Sequence, residues 1–329
     1  MVMPAEPGAR PRVAVIIAAF NAADTIERAI QSALAEPDVS EVVVVDDASP
    51  DETVAAAKRA DDGTGRVKIL RTALNAGPAA ARNRGIEESA SDWITILDSD
   101  DYFLPGRIAA MLEFESEADI IADDLWQVRE GLPFETATTL MNNAVQSPRP
   151  ITFAQFVDAN ISRGKRQRGE LGFVKPLIRR RFLEAHAIRY RSEMRLGEDY
   201  ELYARALAMG ARFLLVPPKG YVSIWRSNSL SGRHTPDDLF HLRESDDALM
   251  RISGLDRKDL RALRDHYLSI DGRLQWRLAL LAFKRKDVVA IGATLCRPWP
   301  VPLYVAGQIV EAIVSKTLSA LGIGRRLDA

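Results

Sequence analysis

The chain has 329 residues, of which 47% are hydrophobic and 27% charged, with a formal net charge of -1. That length allows one large domain, or one domain with a smaller appendage. The near-zero charge excludes the global basic field of a nucleic-acid-binding protein and leaves electrostatic function to local clusters. The single cysteine, Cys296, excludes an internal disulfide and fits a reducing compartment.

Residues 1–11 are rich in Pro, Gly and Ala, carry no signal-peptide core and read as a flexible N-terminus. No uninterrupted apolar stretch reaches about 18 residues, so no transmembrane helix is expected. Residues 13–17 are a short continuous apolar run, the pattern of a parallel strand covered on both faces. A helix is predicted over 21–35 with Asn21 or Asp24 as N-cap, then a second buried strand at 41–45. That strand ends in Asp46-Asp47-Ala48-Ser49-Pro50-Asp51, before a helix at 52–60. A strand at 67–70, a helix at 79–89 and a strand at 93–97 follow, the last ending at Asp98-Ser99-Asp100-Asp101, with another helix starting at Pro105. Further along, 120–122 and 213–216 read as strands, Gly197-Glu198-Asp199-Tyr200 opens a helix that Gly210 ends, and 237–329 look helical.

Strands alternating with helices imply an α/β fold with a doubly wound, mostly parallel sheet. Ligands bind such sheets at the carboxyl ends of the strands. The clusters at Asp46-Asp47 and at 98–101 both end strands, so they are expected on one edge of the sheet. Carboxylates placed this way suit a hard divalent cation, Mg²⁺ or Mn²⁺, that keeps coordination positions for diphosphate oxygens. A solvated turn capping the next helix would also explain 98–101. Asp46 and Asp47 could accept hydrogen bonds from a base or a ribose, or could cap a helix. The dinucleotide fingerprint G-x-G-x-x-G is absent after the first strand, where Ala18-Ala19-Phe20-Asn21 stands, which disfavours a nicotinamide enzyme.

Five segments in order resemble glycosyltransferase family 2: Val15-Ile-Ile-Ala-Ala-Phe-Asn21, Val44-Val-Asp-Asp-Ala-Ser49, Asn75-Ala-Gly77 with Ala81-Arg-Asn83, Leu97-Asp-Ser-Asp-Asp101 and Gly197-Glu-Asp199. The match runs through residues 13–235, and the length and C-terminal extension resemble bacterial exopolysaccharide glucosyltransferases of the succinoglycan type. The chain departs from the family at Ala18-Ala19, where Pro-Thr is common. The resemblance implies a GT-A, Rossmann-like domain over 12–235 followed by a helical region at 236–329, a nucleoside-diphosphate sugar donor with UDP-sugars favoured, and inversion at the anomeric carbon. It implies that Ala18, Phe20, Asn21, Asp46, Asp47 and Arg82 line the nucleotide site. Asp98 would contact ribose or metal and Asp100 would ligate the metal, with Asp101 as an alternative ligand.

Inverting transfer needs a base to take the acceptor hydroxyl's proton. Asp199 fits that role with Glu198 beside it at a helix N-terminus. Within Trp225-Arg-Ser-Asn-Ser-Leu-Ser-Gly-Arg-His234, which resembles a family loop closing over the diphosphate, Arg226 would contact phosphate. Ser229 and Ser231 would donate hydrogen bonds there, and His234 would approach metal or phosphate. The acceptor is expected to be a saccharide or a lipid-linked saccharide, and the setting cytoplasmic, at the inner face of the membrane. A nucleotidyltransferase is the runner-up, short of the Gly-rich basic loop it would need after the first strand. A non-catalytic sugar-binding module would not need metal, base and nucleotide carboxylates together. Two features keep several readings. The basic run of Arg163, Lys165, Arg166, Arg168, Lys175, Arg179, Arg180 and Arg181 is a solvated face, a site for a diphosphate-bearing acceptor or a lipid-facing patch. The aliphatic segment 300–324 packs on the catalytic domain, forms a homodimer, or makes peripheral membrane contact.

Overall fold

The computed structural model describes residues 12–161, 170–226 and 234–320; residues 163–168, Ser229 and Ser231, named above, lie outside them. The apolar runs form β1 (Val13–Ala19) and β2 (Val39–Asp46), joined by α1 (Ile26–Leu34). Then come α2 (Thr53–Arg59), β3 (Val67–Arg71), α3 (Pro78–Glu87), β4 (Trp93–Ile96), the short β5 (Tyr102–Phe103) and α4 (Arg107–Leu112). The middle of the chain supplies β6 (Ile120–Asp123), β7 (Trp126–Arg129), β8 (Thr138–Thr139), β9 (Arg149–Ile151), α5 (Phe153–Ala159), β10 (Leu177–Arg179) and α6 (Arg180–Ala185). It is followed by α7 (Glu198–Ala208), β11 (Phe213–Val216) and β12 (Tyr221–Trp225). Four helices close the chain: α8 (Pro236–Leu249), α9 (Arg257–Arg285), α10 (Val288–Leu295) and α11 (Val301–Ala320).

Eight strands make one sheet in the order β3-β2-β1-β4-β10-β6-β11-β9. The pairs β3/β2, β2/β1, β1/β4 and β6/β11 are parallel, as the buried apolar runs require. The chain order reverses beside β1, and the crevice there faces the carboxyl ends of β1, β2 and β4. β10 enters antiparallel between β4 and β6. It hides inside the basic run because only Leu177 and Ile178 are buried apolar residues, and its flanking cations turn inward. The Arg179 guanidinium stacks 4.3 Å from the Trp93 ring centroid and donates to the carbonyls of Glu115 and Ala118. Arg180 donates to Ser91 O (2.6 Å), Ile86 O (3.1 Å) and Ser89 Oγ (2.6 Å). For these two residues the solvated and lipid-facing readings give way to a structural one. A second sheet, β5-β12-β7-β8, has too few residues per strand to show a period in sequence.

Two helix starts differ from expectation. α1 begins at Ile26 and neither Asn21 nor Asp24 caps it. Asn21 has φ 53°, and the amides of Asn21, Ala22 and Ala23 donate instead to Ser49 Oγ (3.0 Å), Thr53 Oγ1 (2.9 Å) and Asp51 Oδ2 (3.1 Å). The loop after β1 is therefore tied to the loop after β2. α4 begins at Arg107, two residues past Pro105, because Gly106 takes a left-handed φ of 85°.

One core continues from the sheet through Leu239, Leu242 and Leu249 of α8 to Ala262, Leu263, Ile270 and Leu274 of α9. The change to helix at residue 236 is thus not a break in the packing. Beyond Leu274 a small separate cluster of Ala279, Val301 and Val305 joins α9 to α11.

α3 lies against β1 at Gly85, where an added Cβ would fall inside van der Waals contact of Ile16 Cγ2. Alanine is the better helix former by ~1 kcal/mol, but here overpacking of ~1–3 kcal/mol acts against it. Gly85→Ala is expected to lower the urea midpoint; a raised midpoint would show that β1 and α3 part without cost.

Candidate active site

β4 delivers Asp98 and Asp100 to the crevice, and the N-terminus of α7 delivers Glu198 and Asp199. Buried Arg82, on the inner face of α3, joins the two sets. Its Nη2 donates to Asp98 Oδ1 (2.9 Å), and its Nη1 to Glu198 Oε1 (2.7 Å) and Asp199 Oδ1 (3.2 Å). Lys175 repeats the bridge, with Nζ 2.7 Å from Asp199 Oδ2 and 3.1 Å from Asp98 Oδ2. Tyr190 donates its hydroxyl to Asp199 Oδ1 (2.9 Å) and lies under the Arg82 guanidinium, 5.5 Å from ring centroid to Cζ. Its backbone is clamped to α3 by a reciprocal pair of 2.8 Å bonds with the Asn83 amide.

The carboxylates differ in state. Burial opposes ionisation of Asp98, but Lys175 and then Arg82 outweigh it and hold its pKa down to about 2. Asp100 is pushed above the ordinary carboxylate range by burial and then by the Asp98 charge. Its side chain is 37% exposed, and Arg226 Nε approaches it only to 3.9 Å while pairing with Glu130 Oε1 at 3.0 Å. Asp101 is turned into the protein. It accepts from Tyr221 Oη (2.9 Å) and from Ile224 N (2.7 Å), and burial raises its pKa further than that of Asp100. Tyr221 Oη also accepts from Asp98 N (3.2 Å). Asp101 is thus the stitch between β12 and the carboxylate turn, with its carboxylate facing β12 rather than the open side.

Asp98, Asp100, Glu198 and Asp199 together face two bridging cations, Arg82 and Lys175, which leaves an excess of negative charge on the open side at Asp100. An oxygen donor set with that excess fits a hard divalent cation whose remaining positions go to diphosphate oxygens. Among the described residues no group of three or more His, Cys, Asp or Glu forms an all-protein cage. His234 lines a different cavity of about 180 Å³ with Leu239, Arg273, Trp276, Arg277, Tyr304 and Gln308, so the expectation that it approaches the metal finds no support in the geometry.

Asp47, expected on the nucleotide side, is engaged within the chain. It accepts from Thr72 Oγ1 (3.0 Å), Ala76 N (3.0 Å) and Gly77 N (2.7 Å), which sets the loop that launches α3. Asp46 is buried, accepts from Ser49 N (3.3 Å) and lies 3.3 Å from Arg71 Nε. Ala18 is half-buried, while Phe20 stands 47% exposed at the mouth of the crevice, next to Asn21.

α7 is held from behind. Gly197, φ 72°, leaves room for Leu242 of α8, whose Cδ1 would be 2.7 Å from an added Cβ. One residue past Asp199, Tyr200 donates to Asp246 Oδ1 (2.9 Å), Asp246 Oδ2 meets His266 Nδ1 (2.6 Å), and His266 stacks on Tyr200 with centroids 4.5 Å apart. Sequence reading missed Lys175, Tyr190 and Tyr221 as site residues. Lys175 was visible only as one cation in a run, and the two tyrosines carry no motif.

Comparison with known proteins agrees with this geometry. The model of Glycosyl transferase family 2 matches residues 14–177. Succinoglycan biosynthesis protein ExoU of Rhizobium meliloti (strain 1021) is 44% identical over 300 residues, covering 91% of this chain and 87% of its own. Succinoglycan biosynthesis protein ExoO of the same organism is 37% identical over 251 residues, 75% of this chain and 70% of its own. Among solved structures, S. aureus TarS 1-349 in complex with UDP-GlcNAc aligns with a TM-score of 0.62 at 16% identity, over 85% of this chain and 89% of that one. Pyrobaculum calidifontis mannosyltransferase PcManGT, in complex with GDP-Man and Mn²⁺, aligns with a TM-score of 0.57 at 18% identity, over 95% and 89%. The mostly parallel sheet with its crevice and carboxylate turn is thus a GT-A fold, and the chain belongs to glycosyl transferase family 2 as a glycosyltransferase.

Proposed function

We propose that this chain is an inverting, divalent-cation-dependent hexosyltransferase. It moves a sugar, glucose first among candidates, from a nucleoside-diphosphate sugar to a hydroxyl of a saccharide or lipid-linked saccharide. The work belongs to exopolysaccharide or other cell-surface polysaccharide assembly at the cytoplasmic face of the membrane. The names of the two succinoglycan relatives support a role in polysaccharide assembly, and UDP-sugars are the donors to test first. The observation that carries the reading is the double bridge by Arg82 and Lys175, which sets a donor-side carboxylate, Asp98, and the acceptor-side pair Glu198-Asp199 on one network.

A carboxylate offers about four lone-pair sites. On Asp199 two on Oδ1 are taken by Arg82 and Tyr190 and one on Oδ2 by Lys175. One site on Oδ2 is left for an acceptor hydroxyl, and its direction is fixed by the three donors. Asp199 takes the proton as the acceptor oxygen bonds to the anomeric carbon; the bond from that carbon to the diphosphate oxygen breaks on the opposite face, and the diphosphate leaves with the electron pair. An α-linked donor therefore gives a β-linked product. Glu198 contacts the acceptor. Asp100, with Asp98, would hold the Mg²⁺ or Mn²⁺, which when bound would neutralise charge on the leaving diphosphate. Arg226 is the phosphate contact nearest that carboxylate, and the exposed ring of Phe20 offers a stacking face for the base.

Asp199→Asn keeps the shape and removes the base. Its kcat is expected to fall ~10²–10⁴-fold, with donor affinity measured by calorimetry close to wild type; unchanged turnover would end the base assignment. Asp100→Asn is expected to weaken donor binding in the presence of Mn²⁺. Chelation should abolish the donor-induced thermal shift of the wild type, and either Mn²⁺ or Mg²⁺ should restore it. Asp101→Asn should instead cost stability, ~1–3 kcal/mol for disturbing a buried acceptor, read from urea unfolding without ligand. A donor-binding loss at full stability would place Asp101 in the ligand set.

A further inference from the structure

The C-terminal helices expose apolar side chains that nothing in the chain covers among the described residues. Phe283, Val288, Val289 and Trp299 are 75%, 77%, 84% and 72% exposed, and Leu303 and Val310 are 57% and 60% exposed. α11 turns Val301 and Val305 onto α9, yet its outward face is apolar as well. A helix apolar on every side needs cover on every side, and patches of this kind mark a membrane or protein interface.

Charge decides which. From 288 to 310 the chain holds one ionisable cation and no acid: Arg297. That side chain is turned inward, with Nη2 3.0 Å from Oδ1 and Nε 3.2 Å from Oδ2 of buried Asp271, which Arg243 also binds at 2.9 Å. The outer face is thereby left free of unpaired charge from 288 to 310, along α10 and the first half of α11 as far as the exposed Glu311. At its edge stand Lys284, Arg285 and Lys286, all exposed. Cations are expected at the end of α9 on dipole grounds, but three in succession exceed what half a charge requires. Two acids flank the face: Asp287 Oδ1 caps α10 through Ala290 N (2.9 Å), and Glu311 Oε2 accepts from Gln308 Nε2 (3.1 Å). A second copy would cover the apolar face, but its own stretch 288–310 holds no acid to meet the three cations. A bilayer with anionic headgroups meets both the apolar face and the cations, and Trp299 suits its interfacial layer. No helix among the described residues is long and apolar enough to cross a membrane, so the contact lies in the plane of the interface.

We propose that the end of α9, α10 and the outer face of α11 form an anionic-phospholipid docking surface, with Lys284, Arg285 and Lys286 on the headgroups and Val288, Val289, Trp299 and Leu303 below them. The proposal is independent of the sugar and of the base assignment.

The test is co-sedimentation of the full chain with vesicles of phosphatidylcholine alone or with added phosphatidylglycerol. The wild type is expected to pellet with the anionic vesicles and to be released by salt. Changing Lys284, Arg285 and Lys286 together to Ser should lower the partition coefficient about 100-fold, at ~1 kcal/mol per surface cation. Val288→Ser with Val289→Ser should lower it at least about tenfold. All these positions are exposed, so the thermal midpoint should hold and report an intact fold. Wild-type chain left in the supernatant of anionic vesicles would overturn the proposal. So would equal binding by the serine triple variant, or a dimer in sedimentation velocity that the Val288/Val289 variant dissolves, since a second copy would then own the face.

Discussion

Arg82 sits in the interior with three carboxylates arranged around its guanidinium. A charge buried like this is tolerated only where its partners and their hydrogen bonds repay the lost water. Burial acts against the Arg82 cation, and Asp199, Asp98 and Glu198, in that order, outweigh it. The partners come from two distant parts of the chain, Asp98 after β4 and Glu198-Asp199 at the start of α7, so satisfying one side chain requires β4, α3 and α7 to meet. The planar fork suits this work as an ammonium would not, because it can address carboxylates on two sides at fixed angles. Lys175 then adds a point charge between Asp98 and Asp199, and the carboxylates after β4 and at the start of α7 become one electrostatic unit.

The same constraint governs the loops after β1 and β2. The Asp47 carboxylate holds the loop that begins α3, the helix that carries Arg82. The amides after β1 are held by side chains after β2. Loops that look separate along the chain are therefore one framework across the crevice, as the rim of a parallel sheet must be if a ligand is to meet preformed donors.

The legible parts of the fold were those with a strong period. The runs at 13–17 and 41–45, the helix after Gly197 and its end at Gly210 declare themselves through continuous burial or helix punctuation. The aspartate clusters were legible as strand ends, but a turn or a helix cap leaves the same pattern, and Asp47 and Asp101 do hold loops in place. β10 was hidden by its basic neighbours, and the second sheet by its brevity. Lys175 and Tyr190 were out of reach for another reason: they matter through distances across the fold, 2.7 Å and 2.9 Å to Asp199, and no spacing along the chain encodes those. Asp101 could not be told from Asp100 because sequence shows a carboxylate but not which way it faces.

The Tyr200–Asp246–His266 chain divides the C-terminal region into two zones under different constraint. As far as Leu274, α8 and α9 share the core and brace the helix that carries Asp199, so they are part of the enzyme's frame rather than an accessory. Past that point α10 and α11 rest on α9 through a handful of side chains of their own. Among the described residues the main apolar core takes no side chain from α10 or α11, whose buried contacts with α9 form a cluster of their own. The packing that sets the carboxylates and the packing that seats the outer helices are thus two separate apolar clusters, joined by the Arg297–Asp271–Arg243 ion pairs.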